Sequence, residues 1–209
     1  MIPSRILRSG LFLAGLTLAS SLTAAPGVEA RSALASGIEE VGAALRERPP
    51  GEDLIVRLDL LADKHFAFAT ATRLAVGPAW RDFTAEQRAD ATRLFSRLIV
   101  RTYAERVVGE SQPSVTYGDP LELNGGRIEV PTVISTGGRS YSVSYRLERD
   151  QNSKPARWRV YDVIAEGVSL IANYRAQFEP IVGRSGAKGL LSVLESKLAE
   201  APAAIVAGG

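Results

Sequence analysis

Asp162 is the carboxylate best placed in this chain to do chemistry. It lies within Trp158-Arg159-Val160-Tyr161-Asp162-Val163-Ile164, where strand alternation puts it on one side with Trp158, Val160 and Ile164. On a core-facing side, burial raises a carboxylate's pKa unless a partner holds its charge. Such a group inside an open, cone-shaped sheet could act as a general base and abstract a proton beside a carbonyl. The competing reading is structural: Asp162 pairs with an arginine such as Arg175, or caps backbone donors near Gly167-Val168-Ser169. Ion-pair networks perturb carboxylates as readily as active sites do, and the structural role is the favoured one.

His65 is the single histidine, and the chain has no cysteine. A histidine-rich metal site cannot be assembled, and a Ser-His-Asp triad would have to centre on His65 with no nucleophile elbow beside it. It reads as a structural, helix-end residue. No glycine-rich loop opens a helix, so nucleotide phosphates have no cradle. The chain is therefore expected to carry no catalytic residue, no metal and no cofactor. Arg93, Arg97 and Arg101 recur at four-residue spacing, a stripe that could meet an anionic headgroup or a partner. Glu86, Asp90 and Glu105 lie close enough to pair with it, so a solvated face is expected. Trp80, Tyr103, Tyr141, Tyr145, Trp158, Tyr174 and Phe178 suit a solid core or a ligand pocket equally, because both draw on the same side chains.

The elements that must position these residues form an α+β order. A first helix is expected over Ser32–Arg48, ended by Pro49-Pro50-Gly51, followed by helical pieces over Glu52–Asp63 and Phe66–Val76. Thr84 with Gln87 three residues later is a capping-box signature that starts a long helix over Ala85–Val108. On that helix Phe95, Leu98, Ile99 and Thr102 share one face. The pattern then alternates, with Gly125-Gly126, Gly137-Gly138 and Asn152-Ser153-Lys154-Pro155 as turns. This gives four antiparallel strands, Ser114–Leu123, Arg127–Ser135, Arg139–Arg149 and Ala156–Glu166. In the third, Tyr141, Val143, Tyr145 and Leu147 face away from Ser140, Ser142, Ser144 and Arg146. Closing helices are expected over Leu170–Val182 and Ala187–Glu200. The architecture is thus a four-stranded antiparallel twisted sheet packed against N-terminal and C-terminal helices.

Arg5 and Arg8 precede an apolar run from Gly10 to Leu22, and small residues follow, which is the layout of a secretory signal peptide. The run falls short of the roughly 20 apolar residues a membrane span needs. Val28-Glu29-Ala30 fits small-x-small cleavage with Arg31 as the new N-terminus, whereas cutting after Thr23-Ala24-Ala25 would leave Pro26 just beyond the cut. The expected organisation is a signal peptide over 1–30, one domain over 31–200 and a loose tail over 201–209. Without cysteine there is no lipid-modified N-terminus and no disulfide, so a core of roughly 180 residues must hold the exported domain. The net charge is +2. That balance excludes a nucleic-acid binder that works by neutralising phosphates.

The stretch from Trp158 through Gly167-Val168-Ser169-Leu170 to Asn173-Tyr174-Arg175 and Phe178 resembles the signature of the MlaC-type family. These are also called toluene-tolerance auxiliary proteins, and the hopanoid-associated HpnM proteins are their relatives. Phe66-Ala67-Phe68, Leu74-Ala75-Val76-Gly77-Pro78-Ala79-Trp80, Thr84-Ala85-Glu86-Gln87-Arg88 and Thr102-Tyr103-Ala104 match in order, so the resemblance covers nearly the whole exported chain. Ala67 and Ala69 depart from the family pattern, which has an aspartate and a residue such as methionine there. The resemblance implies a periplasmic, non-enzymatic carrier with an apolar cavity between sheet and helices. It would shuttle phospholipid, or a related lipid such as a hopanoid, between an outer-membrane lipoprotein complex and an inner-membrane ABC transporter complex, as a monomer by default. Tails would be enclosed and the headgroup left in solvent. The expected cavity wall is Val133, Tyr141, Val143, Tyr145, Trp158, Val160, Tyr174 and Phe178, with Leu98, Ile99 and Tyr103 from the long helix. The alternatives are the Asp162 enzyme and an envelope interaction protein with a solid core and no ligand.

Overall fold

The computed structural model describes residues 24–47, 53–108, 113–151 and 153–200, with side chains omitted over 104–108. Most of the expected leader, the Pro49-Pro50-Gly51 breaker, the turn residue Asn152 and the tail over 201–209 lie outside the described residues.

Helix α1 (Pro26–Arg46) begins well ahead of the expected Ser32. Proline occupies its first turn, where the missing N–H has no intrahelical partner to lose. The expected boundary after Ala30 therefore falls inside a helix. Ala30 is fully buried, and Glu29 accepts the indole N–H of Trp158 at 3.2 Å and pairs with Arg149 at 3.5 Å.

Helix α2 (Leu54–His65) is capped by Asp53, whose Oδ1 accepts the Ile55 N–H at 2.9 Å. Helix α3 (Phe68–Val76) stops at Gly77, where φ 75° and ψ −148° suit only a residue without Cβ. A 3-10 turn (Gly77–Asp82) then leads to α4 (Ala85–Val108). Its start is the expected capping box: Gln87 Oε1 accepts the Thr84 N–H at 2.9 Å and Thr84 Oγ1 accepts the Gln87 N–H at 3.2 Å. The two closing helices form one span, α5 (Leu170–Glu200), broken at Gly186 with φ 59° and ψ −158°.

Among the described residues the sheet has six strands rather than the expected four. They are β1 (Ser114–Tyr117), β2 (Leu121–Leu123), β3 (Arg127–Thr136), β4 (Arg139–Asp150), β5 (Arg157–Ala165) and β6 (Val168–Ser169). The path runs β1-β3-β4-β5-β6, every pairing is antiparallel, and β2 also pairs with β3. The expected first strand is two because Gly118-Asp119-Pro120 interrupts it. Gly118 still donates to the Pro131 carbonyl at 2.8 Å, but Pro120 has no N–H for the ladder. The extra β6 folds back on β5 through Glu166 and Gly167, both at positive φ. Gly137-Gly138 make the two-residue turn between β3 and β4 with both φ positive, the twist such hairpins need.

A bulge decides which side chains share a face. Arg146 stands opposite Asp162 while Leu147 stands opposite Val160, so Tyr161 is the extra residue on β5. Direct antiparallel partners point to the same side. One face therefore carries Tyr145, Leu147, Trp158, Val160 and Val163, and the other carries Arg146 and Asp162. The alternation expected for Trp158, Val160, Asp162 and Ile164 breaks at Tyr161, and Asp162 lies on the face opposite Trp158 and Val160.

Candidate functional site

Two apolar clusters meet along a seam. The helical cluster is built from α3, α4 and α5, with Phe95 edge-on to Tyr174 at 4.9 Å and to Phe178 at 5.4 Å. The sheet cluster packs Ile128, Val130, Leu147, Trp158 and Val160 against Ala30 and Leu34 of α1. Phe66 packs against both clusters. The chain is stitched to β5 at this point by the Ala67 N–H, which donates to the Val160 carbonyl at 2.8 Å. Phe68 stacks on Phe66 with centroids 5.4 Å apart and rings 16° from parallel.

Beside that stitch, between the helices and β5, lies a cleft of about 10 Å³ bounded by Phe66, Phe68, Phe95, Ile99, Tyr161 and Leu170 among others. That is room for about one water. Among the described residues this seam shows no open apolar cavity of the kind the resemblance implies; aromatic rings close it here.

Asp162 borders this cleft and is 5 % exposed. Its Oδ2 accepts the Ser169 hydroxyl at 2.8 Å and faces Arg146 Nη1 at 3.5 Å, and its Oδ1 accepts the Ile171 N–H at 3.1 Å. Arg146 is the arginine beside it, not Arg175, which packs against Gly77 instead. The expected capping of backbone donors near Gly167-Val168-Ser169 takes the form of the Ile171 N–H bond. Each oxygen is engaged in holding the start of α5 to β5, so the carboxylate serves as an anchor. On the other face Tyr145 is half-buried, and loss of solvent around its phenol pushes the hydroxyl up to about 12. His65 ends α2, with Nε2 3.0 Å from Glu40 Oε2 and its ring against Gly37 of α1.

The larger concavity is elsewhere. A groove of about 640 Å³ runs between α2 and α4, with Phe68, Ala69 and Trp80 along it. Asp59 and Asp63 stand on the α2 wall, and Arg88, Arg93 and Arg97 on the α4 wall. Arg88 belongs to the scaffold: it donates to the carbonyls of Trp80 and Arg81 at 3.2 and 3.0 Å and lies over the Trp80 ring. Arg93 pairs with Asp90 at 2.9 Å, and Arg101 donates to the Leu198 carbonyl at 3.1 Å. Among the described side chains, Asp90 is the carboxylate of α4 that pairs with the stripe, and Glu105 lies outside them. Burial pushes the Asp59 carboxyl above its ordinary value, opposed by the charge of Arg97.

The structure divides the residues expected to form one wall. Leu98, Ile99, Tyr103, Tyr174 and Phe178 lie in the helical cluster, and Tyr145, Trp158 and Val160 in the sheet cluster. Val143 and Tyr141 follow Tyr145 along the same face of β4, with Tyr141 37 % exposed. Val133 stands on the opposite face, 42 % exposed. Of these residues only Ile99 borders the narrow cleft. Phe66 and Phe68, which join and divide the spaces, were not among the expected wall residues. Their signal was the Phe66-Ala67-Phe68 repeat just before a helix. Among the described residues no cluster of His, Asp and Glu could hold a metal ion, and no helix is long and apolar enough to cross a membrane.

A family model described as MlaC protein matches residues 38–196. The chain belongs to the MlaC family. It is 25 % identical over 175 residues to the intermembrane phospholipid transport system binding protein MlaC of Haemophilus influenzae, covering 82 % of this chain and 80 % of that protein. Its fold matches that of a phospholipid-binding protein from Ralstonia solanacearum, solved in complex with a phospholipid. The TM-score is 0.72 at 24 % identity, covering 82 % of this chain and 98 % of the other. This likeness extends the family match to the fold: an α+β layer pair with an antiparallel sheet.

Proposed function

We propose that this MlaC-family chain is a phospholipid carrier that takes acyl chains into the seam between its helices and its sheet. The observation that carries the reading is the position of Phe66: one side chain bridges two otherwise separate apolar clusters. Parting the layers there would expose a continuous apolar lining from Phe95 and Ile99 on α4 to Val163 on β5. Enclosing a tail stabilises the complex by about 0.8 kcal/mol per methylene, so the tails carry most of the affinity and no covalent step is needed. Because the cleft holds only about 10 Å³, the lipid must favour a more open arrangement over the closed one, shifting the population by its differential affinity. The family relatives named for phospholipid transport and binding support this reading.

The proposed setting is the periplasm, reached through the N-terminal leader. The carrier would exchange lipid as a monomer with an inner-membrane ABC transporter complex and an outer-membrane lipoprotein complex. The Asp162 enzyme is disfavoured because its carboxylate is occupied as an anchor. The test is uptake: protein stripped of lipid is incubated with phospholipid vesicles, separated from them and extracted. Near-stoichiometric phospholipid on the protein is the expected result. Recovery of bare protein at every vesicle concentration would overturn the carrier reading.

A further inference from the structure

We propose that the groove between α2 and α4 is a headgroup site for a zwitterionic aminophospholipid, with the phosphate against Arg93 and Arg97 and the ammonium against Asp59 and Asp63. This rests on the carrier reading and names the class of lipid that carrier prefers.

The groove has two walls of opposite sign. Asp59 and Asp63 are one helical turn apart on α2, and Arg93 and Arg97 are one turn apart on α4. Asp59 feels both Asp63 and Arg97 electrostatically, so the charges are near neighbours. Yet no ion pair within 4.0 Å joins the walls among the described residues; Arg93 turns instead to Asp90 on its own helix. Opposite charges kept apart across an open space suit a ligand that carries both signs. A phosphoethanolamine group does so over a few bonds, and 640 Å³ is ample for it. A purely anionic headgroup would gain from the arginines and be repelled by the two carboxylates.

Phe68 makes the occupant a lipid rather than a free zwitterion. It borders both the groove and the apolar cleft at the seam, and is buried between them. Rotating that ring would join a polar vestibule to an apolar interior, the arrangement an amphiphile needs.

The experiment offers lipid-free protein vesicles containing equal phosphatidylethanolamine and phosphatidylglycerol, and measures both lipids on the recovered protein. Wild type is expected to take the ethanolamine lipid preferentially. The Asp59→Asn/Asp63→Asn double variant is expected to lose that preference several-fold, and Asp63→Lys to turn it toward phosphatidylglycerol. Unchanged lipid ratios in both variants, with lipid still bound, would overturn the headgroup site and leave the carrier reading standing. No lipid on wild type would remove the carrier reading and this site with it. Free phosphoethanolamine is expected not to saturate the protein; tight binding of it alone would overturn a lipid as the occupant.

Discussion

The backbone N–H of Ile171 donates to Asp162 Oδ1 over 3.1 Å, tying the first turn of α5 to β5 through one buried carboxylate. Removing that acceptor leaves the Ile171 N–H and the Ser169 hydroxyl without their partner in a nearly dry place. Asp162→Ala is expected to lower stability by about 1–3 kcal/mol, and Asp162→Asn by less, because an amide oxygen can still accept. Urea unfolding of both variants checks the order. Equal stability in all three proteins would contradict the anchor.

Gly77 ends α3 in a backbone conformation that L side chains avoid, and a Cβ there would come within 3.2 Å of Arg175 Nε. Gly77→Ala is expected to destabilise by about 1–3 kcal/mol through strain alone. A thermal or urea transition indistinguishable from wild type would show that the turn is not constrained as described.

Lys64 and His65 hold the Glu40 carboxyl below its ordinary 4.5 by hydrogen bonding and charge. A carboxylate whose folded pKa is depressed contributes stability above its unfolded pKa and loses it as the pH falls through the folded one. Glu40→Gln should therefore be less stable than wild type at pH 7, with the gap closing below pH 4.5 and shrinking in high salt. A gap that widens on acidification would reverse the assignment.

Cleavage after Ala30 would remove Glu29, which accepts from Trp158 and pairs with Arg149, and would remove the buried Ala30. If the chain is exported as proposed, cleavage is therefore expected to spare both residues and to leave α1 intact from Pro26. Intact mass of the periplasmic protein decides this. A mass that begins at Arg31 would show that these contacts belong to the precursor only.

The bounds of helix α4 were legible, because Thr84 and Gln87 announce its start; Phe95, Leu98 and Ile99 mark its inner face, whereas Thr102, expected beside them, is exposed. The hairpins were legible through paired glycines. The bulge at Tyr161 was not: an inserted residue leaves the local alternation looking regular while reversing the face of everything after it. Asp162 was placed with Trp158 for that reason. The split of the first strand hid behind one Gly-Asp-Pro step inside an otherwise alternating run. The wall residues were chosen by apolar pattern, which marks burial but not which cluster a residue joins. The α2–α4 groove escaped notice because its charged walls come from two helices whose pairing no local pattern encodes.

On the carrier reading, this protein holds phospholipid. Native mass spectrometry of the full-length product exported to the periplasm and purified without detergent, followed by lipid extraction, tests it most directly. A species heavier than the protein by the mass of one phospholipid, with that lipid in the extract, is the expected result. Protein that carries no amphiphile in repeated preparations, and none after exposure to vesicles, would contradict it.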